Sequence, residues 1–126
     1  YKDRTKFRLA ETYLLLAEAY LRQNMPDKAA DAVNEVRRRA KVADVSDDEM
    51  TMDYLLDERI RELYGEESRR FTLVRTGKLI ERVKKYNPEA RDLIQDFHVL
   101  WPIPQAVRDA NTGEFPQNPG YEGYEG

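Results

Sequence analysis

The chain contains no cysteine. That excludes disulfides and thiolate chemistry and leaves the redox compartment open. It contains one histidine, His98, set beside Val99, Leu100 and Trp101. A histidine-based metal site needs a second histidine or a cysteine partner, so His98 is expected to be a packed or capping residue. Ser46 and Ser68 are the only serines. The first suits a helix cap and the second a charged helix junction, so no Ser–His–Asp triad can be assembled. Six glycines are scattered, four of them in the last fourteen residues, and no phosphate-binding loop or dinucleotide fingerprint occurs. No run of 18 apolar residues exists, so no transmembrane helix is expected. Charge of one sign is also missing: 21 basic and 24 acidic residues are interspersed, for a net charge of -3. The densest basic cluster, Arg37, Arg38, Arg39 and Lys41, would point around a helix rather than to one face, so no nucleic-acid partner is expected. The chain opens at Tyr1 with neither Met nor signal peptide, and is expected to be a piece of a longer protein.

What the sequence does have is charge and helical periodicity. Of 126 residues, 36 % are charged and 40 % hydrophobic, which suits surface-exposed helices around one modest core. Ala10, Tyr13, Leu14, Ala17, Tyr20 and Leu21 predict a helix over Arg4–Arg22, widened by Leu9, Leu15 and Leu16 until it would be buried on two sides. Pro26 then suits a first helical turn, and Ala29, Ala32, Val33, Val36 and Ala40 predict a second helix over Asp27–Ala40. The short link makes an antiparallel hairpin, with Ala17, Ala19 and Ala29 as small residues at the crossing. This order of large and small residues resembles a tetratricopeptide repeat. One such repeat cannot bury its own face, so partner repeats are expected elsewhere. Ser46 and Glu49 form a capping-box pattern that predicts a helix starting near Asp47, with Met52, Leu55, Leu56, Ile60, Leu63 and Tyr64 as its stripe. Gly65 ends or bends it. A further helical stretch has Phe71, Val74, Ile80 and Val83 as apolar positions and breaks at Gly77. Nothing alternates like a strand for long, so the fold class is all-α.

Glu58, Glu62 and Glu66 are four apart on one helix face. Paired carboxylates can do acid–base work or hold a metal. Here Arg59, Arg61, Arg69 and Arg70 surround them, and three like charges at that spacing need cations between them. The expectation is a structural Arg–Glu lattice joining this helix to its neighbours. Neither a catalytic site nor a cofactor is expected, and the chain is read as no enzyme.

After His98 the periodicity stops. Pro102, Pro104, Pro116 and Pro119 each remove a backbone donor and favour extended neighbours. The segment is expected to act as a clasp across helix ends. Trp101, Phe115, Tyr121 and Tyr124 are candidates for stacking on sugar faces, with Trp101 more simply an anchor for the tail.

"LWPIP", Asn111 and "QNPGY" resemble the ending of the SusD/RagB family. "RLAETYLLLAEAY" (8–20), "VNEVRRRA" (33–40) and "LLDERIRELYGEESRRFTLVRTGKL" (55–79) resemble the family's preceding helices, in the same order. Departures stand at Gly65–Ser68, Thr72 and Thr76. The matching positions are Arg8, Glu11, Glu18, Arg37, Glu58, Arg59, Glu62, Glu66, Arg69, Arg75, Trp101, Pro102, Asn118 and Pro119, all read as structural. The resemblance transfers no ligand-contacting residue. It implies one SusD/RagB-like C-terminal domain over 1–126: a hairpin at about 4–40, helices at about 47–86, and a proline-rich extended strap at about 98–126. It also implies a non-catalytic, lipid-anchored outer-membrane protein of the cell surface. Such a protein binds glycans or other nutrients and delivers them to a SusC-like, TonB-dependent transporter. The lipid anchor and the remaining N-terminal part would lie outside this chain. The other reading left open by the residues alone is a soluble tetratricopeptide-type adaptor.

Overall fold

The computed structural model describes residues 7–124. Among them every regular element is helical and no strand occurs. The helices are α1 (Leu9–Arg22), α2 (Pro26–Arg39), α3 (Met52–Glu62), α4 (Arg69–Arg75), α5 (Leu79–Tyr86) and α6 (Gln105–Asp109), with 3-10 turns at Asp47–Glu49 and Asp96–Val99. The chain divides into two compact units, residues 1–68 and 69–126.

The first unit is built on the α1–α2 hairpin. Leu14 and Ala17 of α1 meet Ala29, Ala30, Val33 and Val36 of α2, and Val45, Met50, Leu55 and Leu63 complete the core. Alanines at the crossing let the two backbones approach closely. Pro26 occupies the first position of α2, where its missing N–H has no helical partner to lose. Both hairpin helices end in the same way. Asn24 (φ 56°) and Lys41 (φ 58°) take the left-handed conformation. The next N–H then reaches back, Met25 to Tyr20 O at 3.0 Å and Val42 to Arg37 O at 3.1 Å. These are Schellman ends built without glycine.

Several expectations need correction here. α1 begins at Leu9, not Arg4: Arg8 is extended at φ -136°, ψ 159°, and Arg4–Lys6 lie outside the described residues. α1 buries one side only. Leu9, Leu15, Leu16 and Ala19 are exposed, because no described residue of this unit covers the face opposite α2. The Ser46–Glu49 pair exists, with the Ser46 hydroxyl donating to Glu49 at 2.9 Å, but it closes the 3-10 turn. The N-cap of α3 is Thr51, whose Oγ1 accepts from the Tyr54 N–H at 3.2 Å. Ile60 and Tyr64 are exposed while Glu58 and Arg59 are buried, so the inner face of α3 is partly ionic.

In the second unit α4 and α5 are separated by Gly77, at φ 71°, with the Lys78 N–H bonded to Leu73 O at 2.8 Å. Leu73, Leu79, Thr72 and Arg82 are buried, whereas Phe71 is exposed. The tail is not extended throughout. It includes the 3-10 turn at Asp96–Val99 and the short α6. Pro104 caps α6, where a ring without N–H is tolerated.

Candidate functional site

The densest chemistry of the first unit is an ion-pair lattice along α3. Glu58 Oε2 accepts from Arg37 Nη1 at 2.8 Å and from Arg61 Nη1 at 2.7 Å. Glu62 Oε1 accepts from Arg8 Nη1 at 2.6 Å and from Arg39 Nη2 at 2.7 Å. Arg8 also donates to Glu62 O at 2.6 Å and to Glu66 Oε2 at 2.5 Å. Arg59 is only 2 % exposed and lies 2.7 Å from Glu67 and 3.5 Å from Glu11. Glu18, also buried, pairs with Arg22 at 3.0 Å.

The lattice therefore forms, but with partly different arginines from those nearest in sequence. Arg8 and Arg39 reach α3 from the start of α1 and the end of α2, and Arg37 from the last turn of α2. Arg70 does not take part. It donates to the carbonyls of His98 and Leu100, and its guanidinium stacks 4.1 Å from the Trp101 ring. Arg69 and Arg75 are the first and last residues of α4, in the second unit. The basic cluster of α2 is dispersed among acidic partners: Arg37 to Glu58, Arg38 to Asp44 and Glu35, Arg39 to Glu62.

Electrostatics follow the geometry. Hydrogen bonds to Glu66, then to Glu62, raise the Arg8 pKa above the ordinary arginine value. A pKa raised on folding contributes stability in full below the unfolded value and loses it as pH climbs through the folded one. For Arg8 that loss falls beyond the ordinary arginine range, so its cation is constant at neutral pH. The carboxylates Glu58 and Glu62 each accept from two guanidinium groups. Carboxylates so engaged are poor candidates for abstracting a substrate proton. The arrangement holds three helices together through bonds that need both signs of charge.

Sequence reasoning missed Asn34. Its buried amide donates to Val45 O at 3.0 Å and accepts from the Val45 N–H at 2.8 Å, fixing the connector after α2. The available signal was an uncharged amide beside Val33 on the buried face, with the charged Glu35 turned outward.

The second unit carries an analogous clamp in the tail. Gln117 accepts from the Ile103 N–H at 2.7 Å and donates to Ile103 O at 2.9 Å. Asn118 donates to Trp101 O at 2.7 Å, and the Tyr121 hydroxyl to Leu100 O at 2.9 Å. "QNPGY" thus pins the backbone of "LWPI", flanking Pro102, which has no N–H to offer. Pro119 precedes Gly120, whose φ of +85° brings the chain against Phe97. Phe97 and Tyr121 meet edge to face at 5.0 Å. His98 caps the turn: its Nδ1 accepts from the Gln95 N–H at 2.8 Å. Trp101 is 60 % exposed, and its contact with α4 is a surface stack on Arg70.

Two grooves flank these features in the first unit. One, of about 380 Å³, is lined by Arg37, Ala40, Val42, Tyr54, Glu58, Arg61 and Glu62. The other, of about 240 Å³, runs along the hairpin between Tyr13, Leu16 and Tyr20 of α1 and Lys28, Asp31, Ala32 and Glu35 of α2.

Among the described residues the scaffold is all-helical, and the charged cluster along α3 makes its ion pairs with α1, α2 and the turn after α3. The profile of the SusD family matches residues 2–121. "Starch-binding protein SusD" of Bacteroides thetaiotaomicron is 36 % identical, covering 92 % of this chain and 21 % of its own length. "SusD-like protein P25" of Formosa agariphila is 34 % identical, covering 81 % of this chain and 21 % of its own. "SusD-like protein P38" of the same organism is 32 % identical over 77 % of this chain and 20 % of its own. The chain belongs to the SusD family. It spans about a fifth of the length of these relatives. No solved structure matches it significantly.

Proposed function

We propose that this chain is the C-terminal part of a non-catalytic, nutrient-binding surface lipoprotein. The parent protein binds glycans or other nutrients at the outer membrane and passes them to a SusC-like, TonB-dependent transporter. Its lipid anchor lies in the part of the protein outside this chain. The observation that carries the reading is the family match across residues 2–121. The relative from Bacteroides thetaiotaomicron named as starch-binding favours a carbohydrate. The saturated carboxylates of α3 agree with a binding protein rather than an enzyme. Within the parent, residues 1–126 form its C-terminal domain and supply scaffold, the α1–α2 hairpin being one tetratricopeptide-like unit.

The test starts in the source cells. An antibody to this chain is used to blot membrane and soluble fractions after metabolic fatty-acid labelling. The expected result is a lipid-labelled outer-membrane band several times heavier than 14.8 kDa. A glycan panel on that protein then identifies the ligand class. An unlabelled soluble band of 14.8 kDa would overturn the reading in favour of an adaptor.

A further inference from the structure

We propose that His98 is a pH-sensitive latch. Its neutral ring holds the closing turn of the tail, around Gly120 and Tyr121, against the 3-10 turn at Asp96–Val99, and protonation of the ring releases it. The proposal stands on geometry inside the second unit and does not depend on the nutrient-binding reading.

The half-buried ring is held by its lone pair. Nδ1 accepts from the Gln95 N–H at 2.8 Å, and only an unprotonated Nδ1 can accept. So fixed, the imidazole lies 4.2 Å from the Phe97 ring and 6.2 Å, edge to face, from the Tyr121 ring. Phe97 and Tyr121 close the triangle at 5.0 Å. Through these contacts the tail meets the turn: Gly120 packs on Phe97, and the Tyr121 hydroxyl donates to Leu100 O at 2.9 Å. His98 therefore joins a cap on one side to a clasp on the other.

A proton on Nδ1 makes it a donor facing another donor. The ring must then turn away from Gln95. It has space to do so, because it borders a cleft of about 200 Å³ with Arg70, Ala90, Leu93 and Ile94. Turning breaks the stack on Phe97 and the edge contact with Tyr121. The surrounding charge acts in the same direction. From α4, Arg70 donates to the His98 carbonyl. From α5, packed on the same turn, come Arg82, Lys84 and Lys85 against Glu81. The chain entering the turn adds Arg91 and Asp92, the turn itself adds Asp96, and the tail adds Glu122 beside Tyr121. Among these the cations outnumber the carboxylates, so a further positive charge gains no net attraction in the closed form. A clasp that binds only the unprotonated ring is weakened as protons are added. Imidazole is the side chain whose charge changes between about pH 8 and pH 5.

His98 is the only histidine, so one titrating ring has to be followed. The test is proton NMR of the 126-residue chain from about pH 8 to pH 5. It reads the Gln95 amide, the His98 ring and the cross-relaxation between the Phe97 and Tyr121 rings. The expected result is one transition shared by all three, with the Phe97–Tyr121 signal falling roughly threefold or more. In His98→Asn the Oδ1 stands where Nδ1 stood, accepts from Gln95 and takes up no proton. That variant should keep the Phe97–Tyr121 signal over the whole range. A constant signal in the parent would overturn the proposal. So would a Gln95 amide and His98 ring that titrate while the Phe97–Tyr121 contact persists, because the histidine would then cap its turn without holding the tail. The same loss in His98→Asn would assign the effect to a carboxylate and refute it too. If His98→Asn lacks the contact at every pH, the parent decides: loss in step with the His98 ring supports the latch, and loss only after that ring has finished titrating refutes it.

Discussion

Arg59 shows how much a single side chain can decide. Its guanidinium is almost fully withdrawn from water between Glu67 and Glu11, and its Nη1 has no partner within hydrogen-bond reach. Arg59→Ala removes the buried cation from between Glu67 and Glu11, and loss of one member of such a pair costs about 3–5 kcal/mol. Urea unfolding should show that loss. An unchanged midpoint would mean that Glu67 finds solvent or another cation. Gly120 is constrained differently. A Cβ there would sit 2.3 Å from Phe97 Cγ, and the +85° φ disfavours any L side chain. Left-handed geometry alone costs about 1–2 kcal/mol. Gly120→Ala should therefore loosen the tail, read as a red shift in the emission of Trp101, the only tryptophan. Emission identical to the parent would refute the clash. At this scale the sequence was half legible. Glu58 and Glu62 announced a lattice by their spacing, whereas Glu66, expected on the same helix face, lies in the turn beyond the end of α3 and joins through Arg8. Their partners Arg8, Arg37 and Arg39 come from 54, 21 and 23 residues away, beyond the reach of local spacing rules.

Helix boundaries tell a similar story. The hairpin was legible because alanine and leucine recur at the helical period and Pro26 marks a first turn. The start of α3 was misplaced because the capping-box pattern at Ser46 is genuine but closes a 3-10 turn, while Thr51 starts the helix five residues later. A capping pattern fixes the backbone at its own position and says nothing about how many turns follow. The Schellman end of α2 carries Lys41 where glycine is common. Lys41→Gly removes about 1–2 kcal/mol of left-handed strain and adds back about 0.4–1 kcal/mol of unfolded-state entropy. A small net rise in Tm is expected, and a fall would show that the lysine side chain contributes more than its backbone costs. Gln117 acts on a longer reach, closing the loop back to Ile103 with two bonds. Gln117→Leu strands two donors, the Ile103 and Asn118 N–H groups, and one acceptor, Ile103 O, at about 1–3 kcal/mol for each buried group left unpaired. Hydrogen exchange at the Ile103 amide should accelerate. Unchanged protection there would mean that the clamp is not what shields it.

Over the whole molecule, the distribution of apolar burial differs between the two units. Residues 1–68 hold a continuous core from Ala10 to Leu63, joined by the lattice along α3 and by the Asn34 clamp. Among its described residues the second unit, 69–126, buries only Leu73 and Leu79 as large apolar side chains, and it depends on polar clamps around "LWPI". Domains of about 60 residues are marginal even with a sound core. Side-chain hydrogen bonds, each contributing about 0.5–1.5 kcal/mol net, do not replace one. A chain ending at Ser68 should therefore retain helical circular dichroism and a cooperative urea transition. A chain of residues 69–126 alone should show neither a sharp transition nor slow amide exchange. The reverse result, a cooperative second unit and a molten first one, would mean that the polar clamps hold their unit together more firmly than the hairpin core does. It would also move the search for the stabilising interactions from α3 to the tail.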